Sequence, residues 1–153
     1  MSDDLLRQAI ELGRAGMLRG DGGPFGALVV VEGKVVGRGC NRVLLTKDPT
    51  AHAEVVAIRE ATASLGRFHL EDAEIYASCE PCPMCLGAIA WARIPRLVYG
   101  ATRDDAERGG FSDAAIYREF ESGKRSIAAR QALAVEARAL FDEWARFAGR
   151  RIY

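Results

Sequence analysis

Two cysteines, Cys82 and Cys85, lie three residues apart where a proline-containing stretch gives way to an apolar run. Residues with this separation share one face of a helix, so both sulfur atoms can reach the same object. Pro81 and Pro83 suit a helix start, where missing N–H groups cost little. A helix N-terminus also stabilises the thiolate, the form of cysteine that binds metal. By itself the Cys-x-x-Cys pair is compatible with either a redox couple or a metal site.

A histidine and a glutamate earlier in the chain favour the metal. The chain has only 2 histidines, and one of them, His52, is predicted to lie at a helix start together with Glu54. One imidazole and two thiolates make three ligands, and a zinc ion with three protein ligands keeps its fourth position for water, as catalytic zinc does. The two thiolates cancel the charge of the ion, and its bound water becomes a nucleophile near neutral pH. Glu54 is then the candidate proton carrier, and we expect the first helical turn to direct it and His52 inward.

Structural zinc is the alternative interpretation of this cluster. Cys40 or Cys79 would then supply a fourth ligand, and the position of Glu54 would have no explanation. Two further polar residues also have ordinary interpretations. Asn41 follows a strand and is typical of a turn, and Asp113 could cap the helix that follows it.

The elements that must position these residues alternate between strands and helices. Helices are predicted at 3–19, 51–65, 82–93, 113–121 and 137–148, and strands at 26–31, 34–39, 74–78, 96–100 and 127–135. A hairpin joins the first two strands, and the later strands are expected to pair in parallel through crossovers. Loops are predicted at 41–50 and 104–110. The pattern predicts an α/β fold in which helices cover both faces of a mixed sheet of about five strands, with the site at strand ends and helix N-termini.

Length and composition limit the number of domains, the partners and the cellular location that can be expected. At 153 residues the chain fits a single domain, so no metal is needed merely to hold a core. The 21 Lys and Arg balance the 21 Asp and Glu, which argues against a nucleic-acid partner. The acidic residues 1–4 lack the basic start and apolar core typical of a secretory signal, and the longest apolar run, 27–31, is far shorter than a membrane span. We therefore expect a cytoplasmic protein without membrane attachment.

His52-Ala53-Glu54 and the later Pro81-Cys82-Pro83-Met84-Cys85 together resemble the signature of the zinc-dependent nucleobase deaminases, His-x-Glu followed by Pro-Cys-x-x-Cys. Within that superfamily the chain most resembles the small bacterial guanine deaminases, from about residue 22 to residue 153. The resemblance rests on residues 23–27, 48–54, 79–89, 91–93 and 110–113 and on the C-terminal tyrosine.

This resemblance implies a three-layer, cytidine-deaminase-like fold and the hydrolysis of guanine to xanthine and ammonia, with one Zn²⁺ per subunit. It implies His52, Cys82 and Cys85 as zinc ligands and Glu54 as the proton shuttle. It also implies a homodimer in which residues 136–153, a C-terminal helix and tail of the single deaminase domain at 1–153, cover the partner's site.

The resemblance further implies which residues contact the purine base. The expected contacts are the side chains of Phe25, Asn41, Asp113 and Tyr153 and backbone N–H groups near Ala53. Among these, Asn41 is a base-binding amide, Asp113 a second polar contact and Tyr153 a lid, whereas Phe25 forms part of the pocket wall.

Two departures from the family pattern affect the expected substrate more than the reaction type. Ser112 stands where the pattern has aspartate, and residues 121–136 match least well. The alternatives are a related deaminase acting on guanosine, a cytosine-like base or transfer-RNA adenosine, and a non-catalytic structural-zinc module. Balanced charge argues against the transfer-RNA enzyme. The apolar stripe at 137–148 is expected to be core.

Overall fold

The computed structural model describes residues 2–153 and contains one four-stranded sheet between two helical layers. The strands are β1 (Gly26–Val31), β2 (Lys34–Cys40), β3 (Ala73–Cys79) and β4 (Arg96–Ala101). The helices are α1 (Asp3–Arg19), α2 (Val43–Thr46), α3 (Ala53–Leu65), α4 (Pro83–Trp91), α5 (Arg103–Arg108), α6 (Asp113–Ser122) and α7 (Ala134–Arg146). Within residues 2–153, no helix has both the length and the apolar character needed to cross a bilayer.

The sheet is mixed, and its order is β2-β1-β3-β4. β1 pairs antiparallel with β2 on one side and with β3 on the other, whereas β3 and β4 pair in parallel. The β1–β2 turn uses Glu32 and Gly33, both with positive φ, which suits the right-handed twist of a hairpin. The parallel pair needs a crossover, and α4 supplies it. The N-terminus of α4 therefore lies at the carboxyl end of β3, as predicted for a binding site in such a sheet.

Side chains alternate between the two faces of the central strands and build a core on each face. The cluster between the sheet and α1 contains Ala9, Leu28, Val30 and Tyr76. The larger cluster, between the sheet and the layer of α3 and α4, includes Ala27, Val29, Ala57, Ile75 and Ile89. This is the α/β/α arrangement expected from the sequence.

The approach of α3 to β2 depends on a strand position without a side chain. A Cβ on Gly39 would lie 2.1 Å from the backbone oxygen of Ala53, the first residue of α3. A larger residue would clash with backbone, which cannot rotate away as a side chain can. Gly39 therefore sets the position of the turn that begins with His52 and Glu54.

The fifth strand predicted at 127–135 is wrong. Residues 127–133 are irregular, residues 134 and 135 begin α7, and within residues 2–153 the sheet has four strands. Ile127 is exposed rather than packed against a neighbouring strand. The segment is rich in alanine, which is depleted in strands because its side chain packs little surface on a sheet.

Part of the loop predicted at 104–110 is a helix, α5. Thr102 caps it, because its side chain accepts a hydrogen bond from the Asp105 N–H while the Asp105 carboxylate accepts one from the Thr102 N–H. This reciprocal pair is a capping box, which stabilises a short polar helix without an apolar stripe. The predicted loop at 41–50 likewise contains the one-turn helix α2.

The C-terminal helix α7 was expected to pack in the core, but it lies exposed on the surface of the chain. α7 runs from Ala134 to Arg146 rather than over 137–148, and none of its residues is buried. The apolar stripe predicted as core is exposed: Leu140, Phe141, Trp144 and Phe147. The prediction fails because the stripe shows that α7 has an apolar face, whereas no neighbouring element of the described chain covers that face.

Candidate active site

The predicted metal ligands meet at the N-termini of α3 and α4. His52 is the N-cap of α3 and Cys82 is the N-cap of α4, and both have extended backbones. Cys85 lies in the first turn of α4. In a regular helix, residues two apart such as His52 and Glu54 point in different directions. An N-cap residue is not yet helical, so this restriction does not apply to His52. Both side chains consequently line one cavity.

The three potential ligands form a compact group. His52 Nδ1 lies 3.6 Å from Cys82 Sγ and 3.5 Å from Cys85 Sγ. All three ligand atoms lie within 4.8 Å of one another. Ordinary zinc–sulfur and zinc–nitrogen bonds at tetrahedral angles place sulfur and nitrogen about 3.5–3.6 Å apart. The donor types and their spacing therefore fit a zinc ion.

No third sulfur joins this group as a fourth ligand in the described part of the chain. Cys79 Sγ instead lies 3.5 Å from the carbonyl oxygen of Thr102, and burial raises the pKa of its thiol to about 12. Cys40 lies beside Arg19 and Asp21. The geometry thus gives no support to a closed site with Cys40 or Cys79 as fourth ligand, and three ligands leave one tetrahedral position free.

Hydrogen bonds within the group shift the pKa values of all three potential ligands. A hydrogen bond from Cys85, aided by one from His52, lowers the pKa of the Cys82 thiol to about 4 despite its burial. The same Cys82–Cys85 hydrogen bond raises the pKa of Cys85, which holds its proton. The hydrogen bond to Cys82 also raises the pKa of His52. A metal must displace these protons, so its binding weakens in acid.

Glu54 is a buried carboxyl beside this group, and only 7% of its surface is exposed. Burial raises its pKa, because the charged carboxylate loses water, and hydrogen bonds with its own backbone and with Cys85 offset the effect only in part. A carboxyl with a raised pKa accepts a proton more readily than an ordinary carboxyl and can return it later. This is the behaviour expected of a general acid–base group.

A cavity of about 400 Å³ opens next to the potential ligands. Small-molecule sites have volumes of roughly 300–1,000 Å³. The cavity is lined by Gly22, Gly23, Phe25, Asn41, Val43, Leu44, Pro49, His52, Glu54, Glu80, Cys82, Phe111 and Asp113. Apolar walls with a few convergent polar groups are typical of a small-molecule site, and a bound molecule would face His52, Glu54 and Cys82.

Asn41 is held rigidly at the edge of this cavity. Its Oδ1 accepts a hydrogen bond from the Val43 N–H at 3.1 Å. This contact is typical of an asparagine in a turn, the ordinary interpretation that the sequence allowed. Gly22 lies so close that a Cβ there would be 2.0 Å from the same oxygen. No acceptor in residues 2–153 receives a hydrogen bond from Asn41 Nδ2, so its two N–H groups are available to a ligand.

Asp113 and Phe25 both line the cavity. Asp113 is the first residue of α6, and Ser112, not Asp113, occupies the N-cap position. Burial raises the pKa of Asp113. The ring of Phe111 packs edge-to-face on that of Phe25, with centroids 4.7 Å apart. Together these residues place one carboxyl group beside an aromatic wall.

The other two residues predicted to contact the base are placed differently. Ala53 is buried, and its side chain does not line the cavity, although its neighbours His52 and Glu54 do. The ring centroid of Tyr153 lies 6.4 Å from that of Phe68 and 6.1 Å from that of Trp91.

These aromatic neighbours place Tyr153 far from the cavity of its own chain. Phe68 follows the C-terminus of α3 and Trp91 ends α4, whereas the metal group lies at the N-termini of the same helices. α3 has 13 residues, which corresponds to a length of about 20 Å. Tyr153 therefore does not contact this cavity within one chain.

Several cavity residues were not predicted individually. Four of them lie inside the motifs on which the family resemblance rests: Gly23, Pro49, Glu80 and Phe111. Their position next to predicted site residues could have indicated that they line the cavity. Val43 and Leu44 belong to the short helix α2, and no sequence pattern indicated that it would border the cavity.

Comparison with known proteins agrees with this geometry. Residues 1–101 match the family model described as the cytidine and deoxycytidylate deaminase zinc-binding region. The chain belongs to this deaminase family. It is 44% identical to the guanine deaminase of Bacillus subtilis over 153 residues, 99% of this chain and 98% of that protein. The crystal structure of the B. subtilis enzyme superposes with a TM-score of 0.95 at 43% identity, covering 100% of this chain and 99% of that one.

Two other relatives match shorter parts of the chain. A tRNA-specific adenosine deaminase from Buchnera aphidicola is 42% identical over 104 residues, 68% of each protein. The structure of a guanine deaminase from Nitrosomonas europaea has a TM-score of 0.67 at 35% identity and covers 72% of this chain and 64% of that one. Zinc is the cofactor of the family, and the only group of donors in residues 2–153 that could hold it is His52, Cys82 and Cys85.

Proposed function

We propose that this protein is a guanine deaminase, a zinc-dependent hydrolase that converts guanine and water to xanthine and ammonia. The observation that carries the proposal is the likeness to B. subtilis guanine deaminase along essentially the whole chain. That likeness includes the C-terminal part of the chain, beyond the family match to residues 1–101. The tRNA-specific relative matches only 68% of the chain.

In the proposed mechanism, His52, Cys82 and Cys85 would hold the zinc, which would supply the Lewis acidity that makes a water molecule nucleophilic. Glu54 accepts a proton from this water as it attacks the amine-bearing carbon of guanine. Glu54 then passes this proton to the adjacent ring nitrogen. It next accepts the second proton from the new hydroxyl group on the same carbon and donates it to the amine, which departs as ammonia while the carbon becomes a carbonyl. Its raised pKa suits it to both directions of transfer.

Buried polar groups are proposed to recognise the base. The free N–H groups of Asn41 Nδ2 and the backbone N–H of Ala53 donate to acceptors of guanine, and the Asp113 carboxylate accepts from its N–H groups. Phe25 packs against the ring as part of the wall. A base with the wrong edge would leave these groups unpaired, and this is why such sites discriminate strongly.

A homodimer with exchanged C-terminal segments is proposed to complete the site, with residues 136–153 of each chain covering the partner's cavity. Three features support this: α7 has no buried residue, its apolar side chains are exposed, and Tyr153 lies at the far end of its own α3 and α4. Residues 1–153 are then one deaminase domain. We also propose a cytoplasmic location, which fits four free cysteines and a thiolate site.

Ammonia release from a panel of bases and nucleosides tests the proposed function. Zinc-loaded protein should deaminate guanine with a kcat/KM at least about 100-fold above that for guanosine, cytosine or a transfer-RNA anticodon stem. Metal analysis in the same preparation should give one zinc per chain. Tightly bound zinc without ammonia release from any compound would contradict the proposal and favour the non-catalytic alternative.

A further inference from the structure

A set of side chains, of which only Glu80 lines the cavity, connects the metal-binding turn with α6. Tyr117 on α6 donates a hydrogen bond from Oη to the carbonyl oxygen of Pro81 at 2.6 Å. Pro81 is fully buried and immediately precedes the potential ligand Cys82. The hydrogen bond therefore ties α6 to the backbone from which the Cys82 thiolate projects.

Arg103 holds Tyr117 in this position. Its guanidinium carbon lies 4.0 Å from the centroid of the Tyr117 ring, a cation–π contact. Its Nε is 3.3 Å from Glu80 Oε1, and its backbone N–H donates to Glu80 Oε2 at 2.9 Å. Its Nη1 lies 3.8 Å from Glu121, near the end of α6. One arginine thus contacts both the end of β3 and α6.

These directional contacts matter because little apolar burial holds α6. Ala114 is the one residue of this helix that is buried in the described chain. Tyr117 follows Asp113 by four residues, so the two lie on the same face of α6. Any shift of α6 that breaks the Tyr117 hydrogen bond would also move the Asp113 carboxyl.

We propose that Tyr117, supported by Arg103, is a positioning residue that fixes the turn of Pro81 and Cys82 relative to Asp113. The part concerning Asp113 rests on the proposed function, because it assumes that this carboxyl contacts the base. The part concerning Cys82 rests on the zinc site alone. Loss of one hydroxyl group should therefore weaken zinc retention and, separately, misplace the base relative to Glu54.

Tyr117→Phe tests this directly, since it removes the hydroxyl and keeps the ring under Arg103. Tyr99→Phe is the matched control, because Tyr99 is exposed on β4 and does not line the cavity. Competition with a chromogenic chelator should show zinc bound about 10-fold more weakly by Tyr117→Phe, as for other residues that support metal ligands. The visible spectrum of the cobalt-substituted protein should also change, whereas the control should match the wild type in both.

Unchanged zinc affinity together with an unchanged cobalt spectrum would overturn the proposal. A lower Tm of the zinc-free variant with unchanged zinc affinity would also overturn it, since Tyr117 would then support the fold alone. Neither measurement needs a substrate. A wild type that does not deaminate guanine would therefore refute the proposed function but leave the effect of Tyr117→Phe on zinc affinity unchanged. Where guanine is deaminated, kcat of Tyr117→Phe should fall by about 10-fold.

Arg103→Lys provides a second, independent variant. It keeps a positive charge for Glu80 but removes the planar group that lies over the Tyr117 ring. If both residues act as one unit, the double variant with Tyr117→Phe should lose less zinc affinity than the two single losses combined. Full additivity would overturn the supporting role of Arg103.

Discussion

Glu54 combines two properties that oppose each other in most side chains, burial and access to a ligand. Its surface is 7% exposed, yet it lines the cavity beside His52 and Cys82. Burial makes its ionised form costly, which raises its pKa, and access allows the proton to be exchanged with a molecule in the cavity. The same carboxyl is therefore unfavourable for stability and useful for proton transfer.

Glu54→Gln should separate these effects because glutamine has nearly the same shape and no exchangeable acid. The variant should bind zinc and fold as the wild type does, while kcat for guanine falls by roughly 10²–10⁴-fold. Metal analysis and circular dichroism provide the controls for zinc content and folding. Normal turnover by this variant would remove Glu54 from the mechanism.

The stability of the same variant should depend on pH in a defined direction. A raised pKa means that folded wild type holds the Glu54 proton more tightly than the unfolded chain does, so ionisation costs stability. This cost is absent below the ordinary carboxyl pKa of 4.5 and complete above the raised pKa. Zinc-free Glu54→Gln should therefore be more stable than zinc-free wild type at high pH, and the difference should vanish near pH 4.

Urea unfolding of the two zinc-free proteins across this pH range measures the difference. A stability advantage of Glu54→Gln that grows as the pH falls would contradict the burial argument.

At the scale of elements, two helix N-termini carry the metal group and the sheet determines their separation. α4 begins directly after β3, so its position follows from the strand that precedes it. α3 has no such short connection, and it is positioned by packing against β2. The contact of Gly39 with the backbone of Ala53 is where that packing is tightest near the site.

Gly39→Ala should displace the first turn of α3, because the new Cβ would lie 2.1 Å from the Ala53 oxygen. We expect the free energy of unfolding to fall by about 1–3 kcal/mol, as in other overpacked cores, and zinc affinity to fall with it. Urea unfolding and chelator competition measure the two effects.

Arg38→Ala on the same strand is the control for Gly39→Ala, since Arg38 is exposed and such surface changes stay within about 0.5 kcal/mol. Equal stability and zinc affinity in Gly39→Ala and wild type would show that α3 is not positioned by this contact.

At the scale of the whole molecule, two of the exposed apolar regions of the single chain bear on the proposed dimer. One is the stripe of α7, where Phe141 is 74% exposed, and the other includes Trp91 at the end of α4, which is 69% exposed. Exposed apolar faces of this kind mark interaction sites in soluble proteins. Exchange of C-terminal segments between two copies would cover both the stripe and the cavity.

Deletion of residues 150–153 should lower kcat/KM for guanine by about tenfold or more, the loss of one good contact, while circular dichroism and Tm stay close to those of the wild type. An unaffected kcat/KM would remove the proposed lid.

A mixing experiment identifies the chain that each tail serves. Glu54→Gln and the deletion variant are each expected to be impaired, but a mixed dimer holds one site with an intact Glu54 and a tail from its partner. Activity should therefore recover after the two variants are unfolded and refolded together. A mixture that remains as impaired as its components would show that each tail serves its own chain or none.

Local patterns were sufficient to predict a metal site with a nearby proton carrier, and the family resemblance added the reaction. His52, Cys82 and Cys85 could be identified because ligand types are few and because both ligand turns begin helices, a feature encoded within a few residues. The hairpin, the parallel crossover and the layered α/β class also follow from short-range periodicity. The short helix α5 could have been predicted from the capping box of Thr102 and Asp105. It was missed because its polar composition gives no apolar periodicity.

Other features depend on contacts between residues far apart in the sequence, which a local pattern cannot show. The amphipathic spacing of α7 shows that it has an apolar face, yet only the tertiary structure shows that its own chain leaves this face uncovered. The hydrogen bond between Tyr117 and Pro81 joins residues 36 positions apart. The sequence by itself determined which residues can bind zinc and move a proton, because those properties belong to residue types and helix starts. The tertiary structure alone decided which residues line the cavity and where Tyr153 lies, because packing between distant elements sets those positions.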